Sequence, residues 1–246
     1  MKVALFIPCY VDQFYPQVAI ATLELLENLG LDVSYPLNQT CCGQPMANSG
    51  FEQLTDGCNS LFVKNFSGFD YIVAPSGSCV LHLKEHLKDN SQPILVNHIK
   101  ETIYELTSFL TDIMKVAALN SSFPYKVGMH QSCHGQRGLK LSQMTELNAP
   151  DFSKPGQLLK LVKDIELIDL DRSDECCGFG GTFCVTEEAV SAKMGKDRVN
   201  DHIKHNVEYI TGVDMSCLMH IEGILNRQNS KVKIVHIAEI LNGARI

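Results

Sequence analysis

The sequence has little positive charge and no long apolar run. Its 21 lysines and arginines are outnumbered by 28 aspartates and glutamates, which gives 246 residues a net charge of -7. Such a chain offers no broad basic field to a phosphate backbone, so we expect no nucleic-acid partner. No apolar stretch approaches the roughly 18 residues of a membrane span, and the run Val3 to Ile7 is too short for a signal peptide. We therefore expect a cytoplasmic protein without a transmembrane segment.

The sequence also lacks the complete motifs of nucleotide binding. Gly178-Phe-Gly-Gly181 superficially resembles a phosphate loop, but neither the full dinucleotide fingerprint nor a phosphate-loop lysine motif is present. What the sequence does have is ten cysteines. Because a reducing cytosol disfavours structural disulfides, these thiols point to metal binding, redox chemistry or simple burial.

The chain repeats itself. Two pairs of segments match between its halves: Lys2–Cys9 (KVALFIPC) with Lys126–Cys133 (KVGMHQSC), and Asp70–Cys79 with Glu208–Cys217. His98 and His236 keep the spacing of the second pair, and the extra residues of the second half are assigned to a surface loop from Met144 to Gly156. Self-similarity over more than 100 residues indicates a duplicated unit. We therefore predict two domains, 1–120 and 121–246.

Strand-like and helix-like stretches alternate within each unit. The elements predicted in the first unit are a helix at 16–28, a strand at 32–35, a helix at 54–66, a strand at 71–74, a helix at 81–87 and a strand at 93–97. This alternation favours right-handed crossovers, so the predicted fold class is α/β, with two tandem similar domains that each hold a mainly parallel sheet flanked by helices. The carboxyl ends of such strands gather at one edge, where we expect the thiols that end predicted strands to converge: Cys9, Cys79, Cys133 and Cys217.

Eight of the ten cysteines occupy matching places in the two halves. They are Cys9, Cys41, Cys42 and Cys79 in the first half and Cys133, Cys176, Cys177 and Cys217 in the second. Neighbouring residues on an extended chain point to opposite sides, so an adjacent cysteine pair bridges different irons of a cluster more easily than it holds one tetrahedral zinc. Gly43 and Gly178, which follow the pairs, permit a positive φ or a close approach to a bulky cluster. Cys58 and Cys184 have no counterpart, and we expect them to be small core residues.

A few other residues are weaker candidates. His134 lies beside Cys133, and His130 is a candidate proton carrier near the second set of thiols, although a lone histidine is more often a structural residue. Arg137 or Arg172 has the fork geometry that binds a carboxylate, although a surface charge is the commoner role.

These motifs resemble those of a known family. The chain is similar to the cysteine-rich CCG-domain iron–sulfur oxidoreductases, which include the cysteine-rich component of heterodisulfide reductase, the iron–sulfur component of glycolate oxidase and lactate utilization protein A. The similarity is greatest to the last of these and covers nearly the whole chain. The segments that carry it are VDQFYPQVAIATLELLENLG, TCCGQPMANSG, APSGSC, CCGFGGTF and SCLMHI.

The resemblance implies a subunit of a cytoplasmic complex that oxidises L-lactate to pyruvate, together with the companion lactate utilization proteins B and C. It further implies one or two iron–sulfur clusters per chain, of the 4Fe-4S type, held by the eight repeated cysteines. The heterodisulfide reductase motif ends in Cys-x-x-Cys, whereas here Ser76 and Asp214 hold the earlier position. Four ligands per half are therefore expected rather than five, with Asp214 as an additional candidate ligand.

Three alternatives remain open at this stage. The eight cysteines are compatible with structural zinc in an assembly module that has no redox role. The adjacent cysteines are also compatible with redox-active dithiols that form strained disulfides. The substrate of the complex is open as well, because relatives that oxidise glycolate use the same cysteine-rich unit, so another small 2-hydroxy acid is compatible with the motifs.

Overall fold

The computed structural model describes residues 1–243. The strands are β1 (Lys2–Leu5), β2 (Asp32–Ser34), β3 (Tyr71–Ala74), β4 (Ile103–Glu105), β5 (Lys126–Met129), β6 (Glu166–Ile168), β7 (Tyr209–Gly212) and β8 (Lys233–His236). The helices are α1 (Cys9–Phe14), α2 (Pro16–Asn28), α3 (Gln44–Asn48), α4 (Asp56–Phe66), α5 (Gly77–His86), α6 (Pro93–Thr102), α7 (Leu106–Ser108), α8 (Lys154–Leu159), α9 (Phe183–Thr186), α10 (Glu188–Lys204), α11 (Met215–Arg227) and α12 (Ile237–Leu241). Shorter helical turns are a 3-10 turn at Glu52–Thr55 and π turns at Phe109–Ile113 and His134–Gly138.

The strands form two four-stranded sheets with the same topology. The first has the order β2-β1-β3-β4 and the second β6-β5-β7-β8, and all of these neighbours run parallel. The predicted α/β fold with two duplicated parallel sheets is confirmed. In each sheet, the second strand pairs with the first strand on one side, and the third strand pairs with the first strand on the other side. The order of the strands therefore reverses direction between the first and third strands. The crevice between these two central strands is where ligands bind in such folds.

Local sequence explains why α2 forms where the periodicity predicts it. Pro16 occupies the first helical turn, where its missing N–H costs nothing, and Gly30 takes a φ of +84° just beyond the end. Val18, Leu25 and Leu26 form the buried face of the helix. Periodicity and end signals therefore agree at this position.

The predicted strand at 93–97 is wrong, because these residues begin α6. Pro93 stands at the start of that helix, which a proline favours, and the strand β4 follows at Ile103. The alignment of His98 with His236 is wrong for the same reason, since His98 lies within α6 whereas His236 ends β8. The residue at the end of β4, and thus the structural counterpart of His236, is Glu105.

Other predicted boundaries shift by a few residues. The helix predicted at 54–66 starts as the 3-10 turn before α4, and the one predicted at 81–87 begins earlier, at Gly77. The segment assigned as an inserted loop is exposed from Thr145 to Phe152, and its end, from Lys154, is the start of α8. These shifts leave the order of elements unchanged.

Helices of the two halves pack against each other. Helix α2 of the first half packs on α12 of the second, and α8 of the second half packs on α7 of the first. A single apolar cluster runs through both, from Val3 and Leu5 under the first sheet to Val127 and Ile210 under the second. The division at residue 120 stays a prediction. Within residues 1–243, no helix combines the length and the apolar character needed to cross a bilayer.

Candidate metal centre

All eight repeated cysteines line one cavity of about 460 Å³. They are held after the carboxyl ends of the strands, in the crevice that the sheet topology creates. We call Cys9, Cys41, Cys42 and Cys79 the first quartet, and Cys133, Cys176, Cys177 and Cys217 the second quartet. The cavity lies between the halves, so the convergence expected from the strand ends extends to both quartets at once.

The thiols of the first quartet are arranged in pairs. The sulfur of Cys9 lies 3.9 Å from that of Cys41, and the sulfur of Cys42 lies 3.4 Å from that of Cys79. The adjacent residues Cys41 and Cys42 therefore have different partners among the other thiols, and they also contact each other. In the chain up to residue 243, no three cysteine sulfurs come within 4.8 Å of one another.

The second quartet repeats this pairing. The thiol of Cys133 interacts with that of Cys176 and the thiol of Cys177 with that of Cys217, while the adjacent Cys176 and Cys177 also contact each other. His130 has a ring nitrogen within 4.8 Å of the sulfurs of Cys177 and Cys217. Both nitrogens of His130 are buried without a hydrogen-bond partner, and burial, with nearby Arg198, lowers its pKa to about 3. The imidazole is therefore neutral at physiological pH.

The glycine after each cysteine pair has the backbone that the pattern predicts. Gly43 has a φ of +92° and Gly178 a φ of +86°, in the left-handed region. A Cβ at Gly178 would lie 2.7 Å from the Ser191 carbonyl oxygen. The amide of each glycine points at a thiol of the preceding pair, 3.4 Å from the sulfur of Cys41 and 3.3 Å from that of Cys176.

Helix starts carry the remaining thiols. Cys9 is the first residue of α1, and Cys79 and Cys217 lie in the first turns of α5 and α11. Backbone N–H groups at such positions stabilise negative charge, which suits the thiolate ligands of a bound group. Cys133 directly precedes a π turn rather than an α-helix.

The protonation of each quartet is uneven. Hydrogen bonds lower the pKa of Cys41 and Cys176, because neighbouring thiols donate to them: first Cys42 for Cys41, and first Cys133 for Cys176. The same bonds raise the pKa of Cys9 above its usual range. One thiolate per quartet is thus supported by its neighbours. Four thiolates in so small a space require a bound cationic group to balance their repulsion.

The weaker candidates are placed differently. His134 lines the cavity, with its Nε2 3.5 Å from Nε2 of Gln44 on the opposite half. Both carboxylate oxygens of Asp214 accept hydrogen bonds from serines behind the quartets. Arg137 forms an exposed ion pair with Glu146, and the exposed Arg172 pairs with the largely buried Glu175.

Cys58 and Cys184 do not line the cavity, and they are half-buried rather than core residues. The expectation of full burial is therefore wrong for both. The Cys184 thiol donates to the Gly181 carbonyl oxygen at 3.0 Å. Cys58 instead lies close to Gly43, where a Cβ would be 3.8 Å from the Cys58 Cβ.

Sequence reasoning missed a buried cation behind the second quartet. Arg198 on α10 is 0% exposed and hydrogen-bonds the Arg172 carbonyl, the Asp201 carboxylate at 3.4 Å and the His202 ring at 2.9 Å. Its guanidinium also lies 3.4 Å from the carbonyl of Met129, the last residue of β5. The sequence of α10 contains several acidic and basic residues, and nothing in that pattern indicates that Arg198 faces inward.

Comparison with known proteins finds a matching family model, similar curated relatives and a solved structure of similar fold. A family model described as "Cysteine-rich domain" (CCG) matches residues 3–84 and 127–222. The chain is 38% identical over 247 residues to a protein of Geobacillus sp. (strain WCH70) named "Lactate utilization protein A", covering 98% of this chain and 99% of that protein. A protein of the same name from Oceanobacillus iheyensis is 39% identical over 251 residues, covering 100% of this chain and 98% of that one.

A solved structure shares the fold. The crystal structure of a hypothetical protein from Helicobacter pylori superposes with a TM-score of 0.60 at 14% identity. The match covers 100% of this chain and 49% of that one, so the chain spans about half of its length. At this identity the likeness concerns the fold alone.

Proposed function

The chain belongs to the lactate utilization protein A family of CCG cysteine-rich proteins, and on that premise we propose that it is the iron–sulfur electron-transfer subunit of a cytoplasmic complex that oxidises L-lactate to pyruvate. Its partners in this proposal are the companion lactate utilization proteins B and C. The observation that carries the proposal is the convergence of two cysteine quartets on one cavity.

The residues fit an iron–sulfur centre by their chemistry. Cysteine thiolates are the common ligands of such clusters, and each half supplies four. The cavity of about 460 Å³ is large enough for a group of several metal and sulfide ions, not only for a single ion. In the proposal, the first quartet holds one centre and the second quartet another, and the glycine amides at Gly43 and Gly178 donate to ligand sulfurs.

The spacing of the sulfurs argues against mononuclear zinc. Zinc–sulfur bonds of about 2.3 Å in a tetrahedron put every pair of sulfurs about 3.8 Å apart. Single pairs meet that distance here, at 3.9 and 3.4 Å. In the first quartet, however, no three sulfurs lie within 4.8 Å of one another, which favours a larger polynuclear group there; in the second quartet, a compact three-ligand set forms when His130 is counted with Cys177 and Cys217.

A bound cluster supplies one-electron transfer at the cavity. The chain's own residues hold it, exclude water and tune its charge. Cys42 and Cys177 are buried, while helix starts and glycine amides stabilise negative charge on the sulfurs. His130, neutral and without hydrogen-bond partners, gives the second quartet an additional nitrogen donor that the first lacks at the corresponding residue, Phe6.

The cavity favours electron transfer over binding of the acid itself. Among the residues that line this described cavity, His134 is the one side chain that can become a cation, and no lysine or arginine takes part. A 2-hydroxy acid carries a carboxylate, which a cation binds best. We therefore assign the binding of lactate to a companion protein of the complex, and the relay of its electrons to this chain.

The test is the content of iron, zinc and acid-labile sulfide per chain, with a visible spectrum, in protein purified anaerobically. Iron and sulfide in near-equal amounts, with a brown colour that bleaches on reduction, are expected. Lactate added with the companion proteins should then bleach the same chromophore. Zinc without sulfide in anaerobic material would overturn the proposal in favour of a structural module.

A further inference from the structure

A buried carboxylate lies where the two halves meet, directly behind both quartets. Asp214 and Ser76 hold equivalent positions, and they face each other in an isolated antiparallel backbone bridge. Asp214 is 1% exposed. The backbones are close here, since a Cβ at Gly77 would lie 3.1 Å from Oδ2 of Asp214 and 3.2 Å from the Cα of Gly135.

One carboxylate oxygen of Asp214 accepts hydrogen bonds from the first half. Oδ1 of Asp214 accepts hydrogen bonds from the Ser76 hydroxyl at 2.8 Å, the Ser78 amide at 3.0 Å and the Ser78 hydroxyl at 2.9 Å. The Ser76 oxygen in turn accepts from the amide of Cys79 at 3.3 Å, as the N-cap of α5. The carboxylate therefore reaches the Cys79 backbone through one hydroxyl.

The other carboxylate oxygen of Asp214 accepts a hydrogen bond from the second half. Oδ2 of Asp214 accepts from the Ser132 hydroxyl at 2.5 Å, and the Ser132 oxygen accepts from the Gly135 amide at 3.1 Å. Ser132 immediately precedes Cys133. Asp214 itself is the N-cap residue of α11, whose first turn carries Cys217. Three ligand-bearing segments thus meet at a single residue.

We propose that Asp214 is a positioning residue that couples the two quartets, so that a cluster bound at one quartet favours binding at the other. The proposal rests on the proposed function, because it concerns the same cluster sites. It assigns Asp214 a role other than direct ligation. Asp214 does not line the cavity, and both of its oxygens are already engaged by hydroxyl and amide donors.

The physical basis is shared ordering. Binding at the first quartet fixes the segment around Cys79, and with it Ser76 and Ser78. Their hydrogen bonds fix the carboxylate, which orders the segment of Ser132 and Cys133 before the second group arrives. The second binding event then loses less conformational entropy, and linkage requires the same benefit in the reverse order.

The experiment measures how fast iron leaves each quartet for a strong chelator under anaerobic conditions. Cys41→Ser disables the first quartet and Cys176→Ser the second, each in the full chain. With Asp214 present, disabling one quartet should accelerate iron loss from the other by about 5- to 150-fold, the usual range of coupling between sites. In an Asp214→Asn background, the same cysteine changes should cause no further acceleration.

Asp201→Asn is the matched control. Asp201 is also a buried carboxylate, but it accepts from the amides of Asp171 and Arg172 within the second half alone. Coupling should survive this change even where stability falls. If Asp214→Asn does not fold, Ser132→Ala removes the link through Oδ2 alone, and it should reduce the acceleration.

The outcomes separate two failures. Equal acceleration with and without the Asp214 carboxylate, or no acceleration in the parent chain, overturns the coupling and leaves the proposed function standing. Absence of iron and sulfide from the reconstituted parent chain overturns the proposed function, and the coupling of clusters with it.

Discussion

Glu105 and His236 occupy the same place in the two halves, and each caps the helix that follows its strand. The Glu105 carboxylate accepts from the amides of Thr107 and Ser108, and Nδ1 of His236 accepts from the amide of Ala238 at 3.2 Å. Both caps are fully buried. The duplicated framework therefore tolerates an acid in one half and a neutral base in the other.

The buried acid makes stability depend on pH. Burial raises the pKa of Glu105 from 4.5 to about 7, and one of its oxygens has no hydrogen-bond partner. The folded state binds this proton more tightly than the unfolded state does. The stability that the protonated Glu105 contributes is therefore fully present below pH 4.5 and is lost as the pH rises through about 7. Relative to the parent, Glu105→Gln should gain up to about 3 kcal/mol above pH 7. Chemical unfolding from pH 5 to 8 measures this, and a constant difference would contradict it.

The second prediction concerns the ligand cysteines. Cys176→Ser should remove the iron and sulfide of the second quartet, because Cys176 is the thiolate that its neighbours stabilise. The matched control is Cys184→Ser, since Cys184 is a half-buried cysteine of the same half that lies outside the cavity. Metal analysis should show loss in the first variant and full content in the second. Equal content in both would count against cluster binding at the second quartet.

The third prediction tests the glycine after the cysteine pair. Gly178→Ala places a Cβ 2.7 Å from the Ser191 carbonyl oxygen at a φ of +86°, so it should destabilise the apoprotein by more than the 1–3 kcal/mol of backbone strain alone. Gly223→Ala is the opposite case, on the exposed side of α11 with no atom within 4 Å. It should stabilise by about 1 kcal/mol. Denaturant unfolding compares the two, and equal effects would contradict the geometry.

The fourth prediction concerns the buried cation. Arg198→Met should destabilise the protein by about 3–5 kcal/mol, because it removes the buried cation that faces the Asp201 carboxylate and leaves that carboxylate with two backbone amides and His205. Arg137→Met is the control, since it removes an exposed pair with Glu146 and should cause no measurable change. Urea unfolding distinguishes them. Similar stability of the two variants would mean that Arg198 is not needed to balance Asp201.

Sequence reasoning predicted the features that repeat. Matching segments around Cys9 and Cys133 identified the duplicated strands, and the parallel topology then implied that the thiols meet at one edge. The same reasoning failed at His98 and His236, because identical residue types lie in different secondary-structure elements: His98 in α6 and His236 at the end of β8. Sequence identity over two residues carries less information than the register of a strand, which places Glu105 beside Ala74 and His236 beside Gly212.

What could not be predicted depends on contacts between distant parts of the chain. Arg198 lies in a helix rich in charges, and only the position of β5 above it turns that side chain inward. The position of Asp214 three residues before Cys217 suggests a ligand. Its actual neighbours come from two other segments, the start of α5 and the residues before Cys133, and they become visible only once both sheets are assembled: Ser76, Ser78 and Ser132.

The meeting of Ser76 and Asp214 also bears on descent. A two-fold dimer of identical units places each residue near the axis opposite its own twin. Two aspartates there would repel, and two serines would leave the axis without charge. A single chain that contains both units has no such restriction, so its two sides can carry different residues. The bridge between Ser76 and Asp214 is a combination that a symmetric homodimer of one unit cannot hold.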